Sequence, residues 1–411
     1  MNLRSHKENA FFYLACALAF ALPLYQRLIP PLIILLVVSL FAGPYSASQL
    51  LIALKHKSSV LLILLYTLYA AGMLYTENKA AGWFDLQVKL SILLFPVILF
   101  PLLSFNEEKM KKMLKSFIIG CICAVIICFS VALFNYIREY IYISRGWYNL
   151  NHGINFFLSS RLSYFMHPSY FSMYLCFSLI FLLFYKGDFF VKPRIRYYLS
   201  SLIIFSIIFL ASKAGLIILF LSFVAYFIMI QNIKIVASLS IVIVFLFGLL
   251  YFSAPEFAGK FNKAVRTVST KGTDIKTSQS SPARILAWKS AIQIIKEQKV
   301  WGTGTGDVKD ALIQRYSKNG YTGLLEKKLN AHNQFLQTGI ALGYPGMIIL
   351  IIIFIYSFYI HIKRKFTIGI MFTLIITVNL LFESMLETQA GVIFFAFFFS
   401  LFNIRNTENN E

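Results

Sequence analysis

The chain has 411 residues, of which 58% are hydrophobic and only 13% charged, and its mean hydropathy is +0.72. Because so few polar residues cannot cover a globule of this length, the composition excludes a soluble enzyme or binding domain. The formal net charge of +21 would attract phosphorylated head groups or other anions at a membrane surface, where nucleic acid is not expected. We therefore expect an all-α, polytopic integral membrane protein that contacts anionic partners, membrane lipid among them.

Apolar runs of about 15 to 26 residues recur along the sequence, each near the roughly 20 residues with which a helix crosses a bilayer. They predict about 12 transmembrane helices, near residues 10–26, 29–43, 58–75, 88–104, 115–137, 168–186, 195–211, 214–230, 233–252, 335–360, 367–382 and 388–403. The five cysteines fall inside these runs and match no metal-site spacing, so neither a disulfide nor a bound metal is expected.

Lys and Arg residues in the short loops predict the orientation. If both termini are cytoplasmic, the basic clusters at 109–115, 192–196 and 363–365 are cytoplasmic as well. The first apolar run lacks a signal-peptide cleavage site, so we expect it to be a retained helix. The resulting organisation is nine transmembrane helices in 1–252, one large external loop at 253–334, three more helices in 335–404 and a cytoplasmic tail at 405–411.

The external loop carries the features that suggest chemistry. It holds 14 Lys and Arg residues against 6 Asp and Glu, an excess that membrane insertion does not require. Ser281 followed by Pro282 predicts a helix start, with Arg284 in the first turn. Apolar residues at helical spacing predict the buried face of this amphipathic helix: Ile285, Trp288, Ile292 and Ile295. A cation there opposes the helix dipole, so Arg284 is either a phosphate ligand or an exposed Arg near a helix start.

Two further motifs follow in the loop. Gly302, Gly304 and Gly306 lack the pattern of a nucleotide-binding loop and predict a turn, with phosphate binding by its amides as the alternative. His332 lies where the chain re-enters the bilayer, as a proton acceptor, a phosphate ligand or a helix cap. Downstream glycines, Gly343 among them, predict close helix packing or a bend.

Four other residues are predicted to face the same side. Lys213 is the single charge in a tight turn between two spans, where it either binds substrate or snorkels to the interface. Arg161 adds a cation in an external loop. Glu383 and Glu387 flank the last external turn, as salt-bridge partners or as a carboxylate base.

Together these features resemble the O-antigen ligase and O-antigen polymerase family, with the ligase branch favoured. The resemblance rests on the topology, on Arg284 followed by a Trp and the glycine turn, and on residues 331–336 opening onto Gly339 and Gly343. It implies a GT-C-like membrane glycosyltransferase of the bacterial inner membrane, with a periplasmic active site and no cofactor. The family usually places an Arg where this chain has Lys213, which keeps the charge but loses the bidentate fork.

The resemblance also implies the substrates: a glycan donor on undecaprenyl pyrophosphate, and the lipid A core or another glycan or protein as acceptor. Arg284 and Lys213 would stabilise the leaving pyrophosphate, and His332 would accept the acceptor's proton or orient the pyrophosphate. Glu383 or Glu387 would be a reserve base, and the anomeric carbon would be inverted. O-antigen polymerase and protein O-oligosaccharyltransferase stay open as alternatives. A glycolipid transporter or flippase would carry charges in the middle of its spans, whereas those singled out here lie at span ends.

Overall fold

A computed structural model describes residues 3–43, 47–99, 107–144, 155–184, 193–230, single positions between 241 and 262, and 280–403. Within these ranges the regular structure is α-helix and short 3₁₀ turns, with no strand. Three of the described helices are long and apolar enough to cross a bilayer, at Lys79–Ile98, Glu108–Ile141 and Gln334–Lys363, and several shorter apolar helices accompany them. The chain is a helical membrane protein.

The helices fall into two compact units. The first unit comprises residues 1–45 and 105–250. Its helices are α1 (Leu3–Ala21), α2 (Ile29–Ala42), α6 (Glu107–Ser144), α7 (Pro168–Phe184), α8 (Pro193–Leu210) and α9 (Lys213–Ile230). Helix α1 packs on α6, and α7 packs on both α8 and α9. Gly120 lets α6 approach α1 closely, since a Cβ there would lie 2.2 Å from the Phe20 carbonyl oxygen.

The second unit comprises residues 46–104 and 251–411. Its helices are α3 (Ala47–Lys55), α4 (Lys57–Gly72), α5 (Lys79–Ile98), α10 (Ser280–Glu297), α11 (Val308–Lys318), α12 (Thr322–Lys327), α13 (Gln334–Lys363), α14 (Thr367–Phe382) and α15 (Gln389–Asn403). Helix α15 carries a run of buried phenylalanines that packs against α5, as in the edge-to-face pair of Phe95 and Phe397. Helix α13 contacts α4, α10 and α14.

The predicted spans can be compared with the helices wherever the structure describes them. Every span except the ninth overlaps one of the helices given above. Most of the ninth, at 233–252, lies outside the described residues, as do the loop residues 263–279 and the tail at 405–411. The number of crossings and the sides of the membrane stay predictions.

The fourth span shows how hydropathy misplaces a boundary. Helix α5 begins at Lys79 rather than near residue 88, because the Asn78 side chain accepts a hydrogen bond from the Ala81 amide and caps the helix. Hydropathy detects only the apolar part of such a helix. Asp85 and Lys89 are therefore inside α5, and Lys89 lies about midway along it rather than at an end.

Candidate functional site

Helix α13 bends sharply near its start, and the bend shapes the site. Gly343 has φ +65° and ψ −161°, a conformation that is essentially restricted to glycine. Pro345 has no backbone N–H, so the carbonyl of Ala341 loses its partner within the helix. The Tyr344 amide donates to the Lys299 carbonyl at 2.8 Å instead of to the carbonyl of Ile340. Two buried carbonyls are thus free to accept from elsewhere.

The glycine turn satisfies both of them. The amides of Thr303 and Gly304 donate to the freed carbonyls of Ile340 and Ala341 at 2.7 and 3.0 Å. Gly302 and Gly304 have positive φ, and a Cβ at Gly302 would lie 2.5 Å from the Ala341 backbone. The predicted turn is confirmed. The amides of Gly302, Thr303, Gly304 and Gly306 donate to acceptors within the protein, so phosphate binding by them is not supported.

The segment before α13 fixes His332. Asn333 caps the helix by accepting from the Leu336 amide at 3.0 Å, and its side-chain amide donates to the Leu381 carbonyl at 3.2 Å. His332 has φ +46° and donates its backbone N–H to the Asn330 side chain at 3.0 Å. These bonds turn the imidazole of His332 toward the end of α14, and the side chain remains 25% exposed.

Arg284 reaches the same point from α10. That helix begins at Ser280, so Arg284 is its fifth residue and lies beyond the first turn in which the sequence placed it. The predicted apolar face is also partly wrong, since Ile285 and Ile292 are exposed. The buried stripe consists largely of small residues, which allow close packing on α13: Ala283, Leu286, Ala287, Ser290, Ala291, Ile294 and Ile295.

Glu383, at the end of α14, joins the two cations. Its Oε1 accepts from Nη2 of Arg284 at 2.8 Å, and its Oε2 lies 3.3 Å from Nδ1 of His332. The carboxylate is 8% exposed and the guanidinium 17%. Because an ionised carboxylate can only accept, Nδ1 carries the proton, and Nε2 of His332 is left as the proton-accepting nitrogen. The arrangement is that of a base held by an acidic partner.

Arg284 also has hydrogen-bonding capacity to spare. Its Nε is buried and has no hydrogen-bond partner among the described residues, and the same holds for the indole nitrogen of Trp288, one turn further along α10. A buried N–H without an acceptor is costly. Both donors lie on the helix that carries the guanidinium and suit an oxygen-rich ligand.

Glu387, at the end of the same turn, has different partners. Lys89 donates to its Oε1 at 3.0 Å and to Asp85 at 2.5 Å, and Gln334 donates to it at 3.1 Å. Burial would raise the pKa of the Glu387 carboxyl, but the Lys89 ammonium and the Gln334 amide outweigh it and lower that pKa.

Sequence reasoning missed Lys89 and Asp85. Read as the start of a span, Lys89 looked like a residue at the membrane boundary. The available signal was an Asp and a Lys four residues apart, which lie on one face if the helix already extends through Asp85.

The structure places the other predicted residues in the first unit. Lys213 is the first residue of α9, and Arg161 ends a 3₁₀ turn at Ser159–Arg161. Arg284, His332, Glu383 and Glu387 all belong to the second unit. The roles of Lys213 and Arg161 as substrate ligands stay predictions.

Comparison with known families adds one finding. Residues 198–351 match the family model described as O-antigen ligase, which confirms the resemblance seen in the sequence. The matched segment contains Arg284 and His332 but ends before Glu383. The match indicates an enzyme of the membrane glycosyltransferase type that acts on a lipid-linked glycan and an acceptor. A search of curated proteins found no match.

Proposed function

Because residues 198–351 match the O-antigen ligase family, we propose that the chain transfers a glycan from undecaprenyl pyrophosphate to a hydroxyl group of the lipid A core. The single observation that carries the mechanism is the bridge made by Glu383, whose two oxygens contact Arg284 and His332. One carboxylate thereby fixes the distance between a phosphate-binding cation and a proton acceptor. Inverting transfer from a pyrophosphate needs both groups.

In this mechanism His332 is the general base. Its Nε2 takes the proton of the acceptor hydroxyl as the oxygen attacks the anomeric carbon of the donor sugar. Glu383 holds the proton on Nδ1 and stabilises the imidazolium that forms. The new bond joins the acceptor oxygen to the anomeric carbon, and attack from the face opposite the phosphate inverts that carbon.

Arg284 acts on the leaving group. As the bond between the anomeric carbon and the phosphate oxygen breaks, negative charge grows on the pyrophosphate. Glu383 accepts from Nη2 of the guanidinium, and Nε has no partner among the described residues, so N–H groups of Arg284 can donate to phosphate oxygens. Lys213 and Arg161 are proposed as further donor ligands on the strength of the sequence only.

A transporter of lipid-linked glycan is the second candidate, and one observation favours it. Lys89 and Asp85 lie in the interior of an apolar helix, and charges within spans are the pattern expected of a transporter. Against it, these charges contact one another and Glu387, as in a fixed structural cluster. Transport moves the glycan without changing any bond, so a bond-forming assay separates the two.

The test uses the purified full-length chain in phospholipid vesicles, with a lipid-linked O-glycan as donor and rough lipopolysaccharide as acceptor. We expect glycan-bearing lipopolysaccharide from the wild type, and loss of about 10²-fold or more in rate for Arg284→Ala and for His332→Ala. The matched control is Arg315→Ala, which removes a half-buried Arg of the same polar region whose carboxylate partner, Glu297, is exposed.

The outcomes distinguish the relatives as well. Longer chains that stay on the carrier would identify a polymerase, and glycan on a protein acceptor a protein O-oligosaccharyltransferase. Movement of intact donor across the vesicle with no new bond would identify a transporter. Full activity of both site variants would refute the mechanism.

A further inference from the structure

A closed ring of side-chain contacts lies beside the site, and the mechanism above does not use it. Lys89 is completely buried, with its ammonium over the Tyr69 ring at 4.7 Å. The Tyr69 hydroxyl contacts Thr338 at 2.9 Å, and Gln334 donates to Thr338 at 3.2 Å. Gln334 also donates to Glu387, which accepts from Lys89 in turn. The ring joins α4, α5, α13 and the turn after α14.

Asp85 adds a second carboxyl group beside this ring, and Lys89 is the cation that both carboxyl groups share. Asp85 and Glu387 are both carboxyl groups within reach of each other and of the same ammonium. Taking one partner away from such a cluster leaves an uncompensated buried charge, whereas apolar residues of similar volume would hold helices together at least as well. Stability alone therefore does not explain why these buried groups are charged. Their position next to the site residues offers an explanation.

The cluster lies next to the hydrogen bonds that join residues 332–334 to residues 381–386. Three hydrogen bonds join residues 332–334, at the start of α13, to the end of α14 and the turn that follows it: Asn333 to the Leu381 carbonyl, His332 to Glu383, and Gln334 to the Leu386 amide at 2.7 Å. Along residues 381–386, the His332 contact at Glu383 lies between the other two. It is the longest and involves two side chains, so it depends most on its neighbours for alignment.

We propose that Lys89 is a positioning residue, which anchors the turn at 383–387 through Glu387 and thereby holds Glu383 against His332. The proposal rests on the proposed function for its catalytic meaning. It also assigns Glu387 the role of an anchor, rather than that of a substrate ligand or reserve base. Lys89 itself has no contact with the reacting groups.

The test compares Lys89→Met with Lys112→Met. Lys112 is also paired with a carboxylate four residues away, Glu108, but that pair is exposed. For Lys89→Met we expect kcat to fall by about tenfold or more, because small misplacements of a catalytic pair are costly. The donor KM should stay within about threefold, because no substrate contact is lost. Lys112→Met should match the wild type.

A second readout needs no activity. Amide hydrogen exchange in peptides covering 383–388 should become about tenfold faster in Lys89→Met, because the turn loses its anchor. Peptides covering α11 serve as the internal reference. Unchanged exchange at 383–388 in a folded Lys89→Met protein would overturn the proposal, even if the wild type transferred no glycan at all.

Glu387→Leu provides a variant that should fold if Lys89→Met does not. It removes the anchor but leaves Lys89 and Asp85 as a neutral pair. We expect the same loss of kcat and the same faster exchange. A rise in donor KM at constant kcat would instead make Glu387 a substrate ligand and overturn the proposal, as would wild-type kcat in either variant. Failure of the wild type to transfer glycan would count against the proposed function alone.

Discussion

Replacing Glu383 with Gln exchanges one oxygen for an amide group and should abolish the proposed base without removing His332. Arg284 can only donate, so it keeps the remaining oxygen of residue 383 facing it. The new NH₂ group then faces Nδ1 of His332, which must accept. The neutral imidazole therefore carries its proton on Nε2 and cannot take one from an acceptor hydroxyl.

The expected magnitudes follow from the geometry. At 2.8 Å the attraction between Arg284 and Glu383 is about 6 kcal/mol for an effective dielectric constant near 20, and desolvation of the two charges offsets most of it. We expect a stability loss of about 1.5–3 kcal/mol, typical of one hydrogen bond to a charged group. The catalytic loss should be larger, about 10²–10⁴ in kcat, as for removal of a general base.

The assay is single-turnover transfer from lipid-linked glycan, normalised to folded protein, for Glu383→Gln, His332→Ala and the double variant. Since the two residues act as one unit, the double variant should be no slower than the slower single variant. A Glu383→Gln protein with kcat within about threefold of the wild type would refute the reasoning, as would fully additive losses.

Three shorter predictions concern the same unit. Arg284→Lys keeps the charge but loses the planar fork, so donor KM should rise about tenfold in steady-state assays. Gly343→Ala places a Cβ 2.5 Å from the Val300 carbonyl oxygen and should lower thermal stability by about 1–3 kcal/mol. Gly320→Ala is the control: Gly320 also has a positive φ, but an added Cβ there meets no atom within 4 Å, so only the backbone strain remains. The lowered pKa of Glu387 means that its carboxylate stabilises the fold above about pH 4.5, and that this contribution is lost as the pH falls through the folded-state value. Below pH 4.5 the melting temperature should therefore drop more steeply in wild type than in Glu387→Gln.

Individual site residues could be predicted from the sequence because each had a local anomaly. Arg284 is a cation near a helix start, His332 follows a polar loop at the edge of an apolar run, and Glu383 is an acid at the end of another. No local pattern shows that they meet. Their meeting depends on how α10, α13 and α14 pack, and small residues on α10 that looked uninformative allow that packing.

The buried cluster could not be predicted for a different reason. Hydropathy averages over a window, so the polar first half of α5 reads as a loop and Lys89 as a boundary residue. The Asn78 cap extends the helix back to Lys79. Only then do Asp85 and Lys89 lie one turn apart on one helix, where their charges must be matched inside the protein.

The bend at Gly343 bears on how far from the bilayer the proposed reaction would take place. Helix α13 has 30 residues and measures about 45 Å, longer than the roughly 30 Å of hydrocarbon. The 20 residues from Tyr344 to Lys363 can cross that thickness by themselves. The helical stretch 334–342, before the bend, is about 13 Å long, and His332 lies just before its first residue. Under the proposed function, a site at a constant distance from the bilayer would meet the sugar next to the carrier phosphate, whatever the length of the glycan beyond it. Short and long chains would then present the same atoms, so chain length would have to be selected elsewhere.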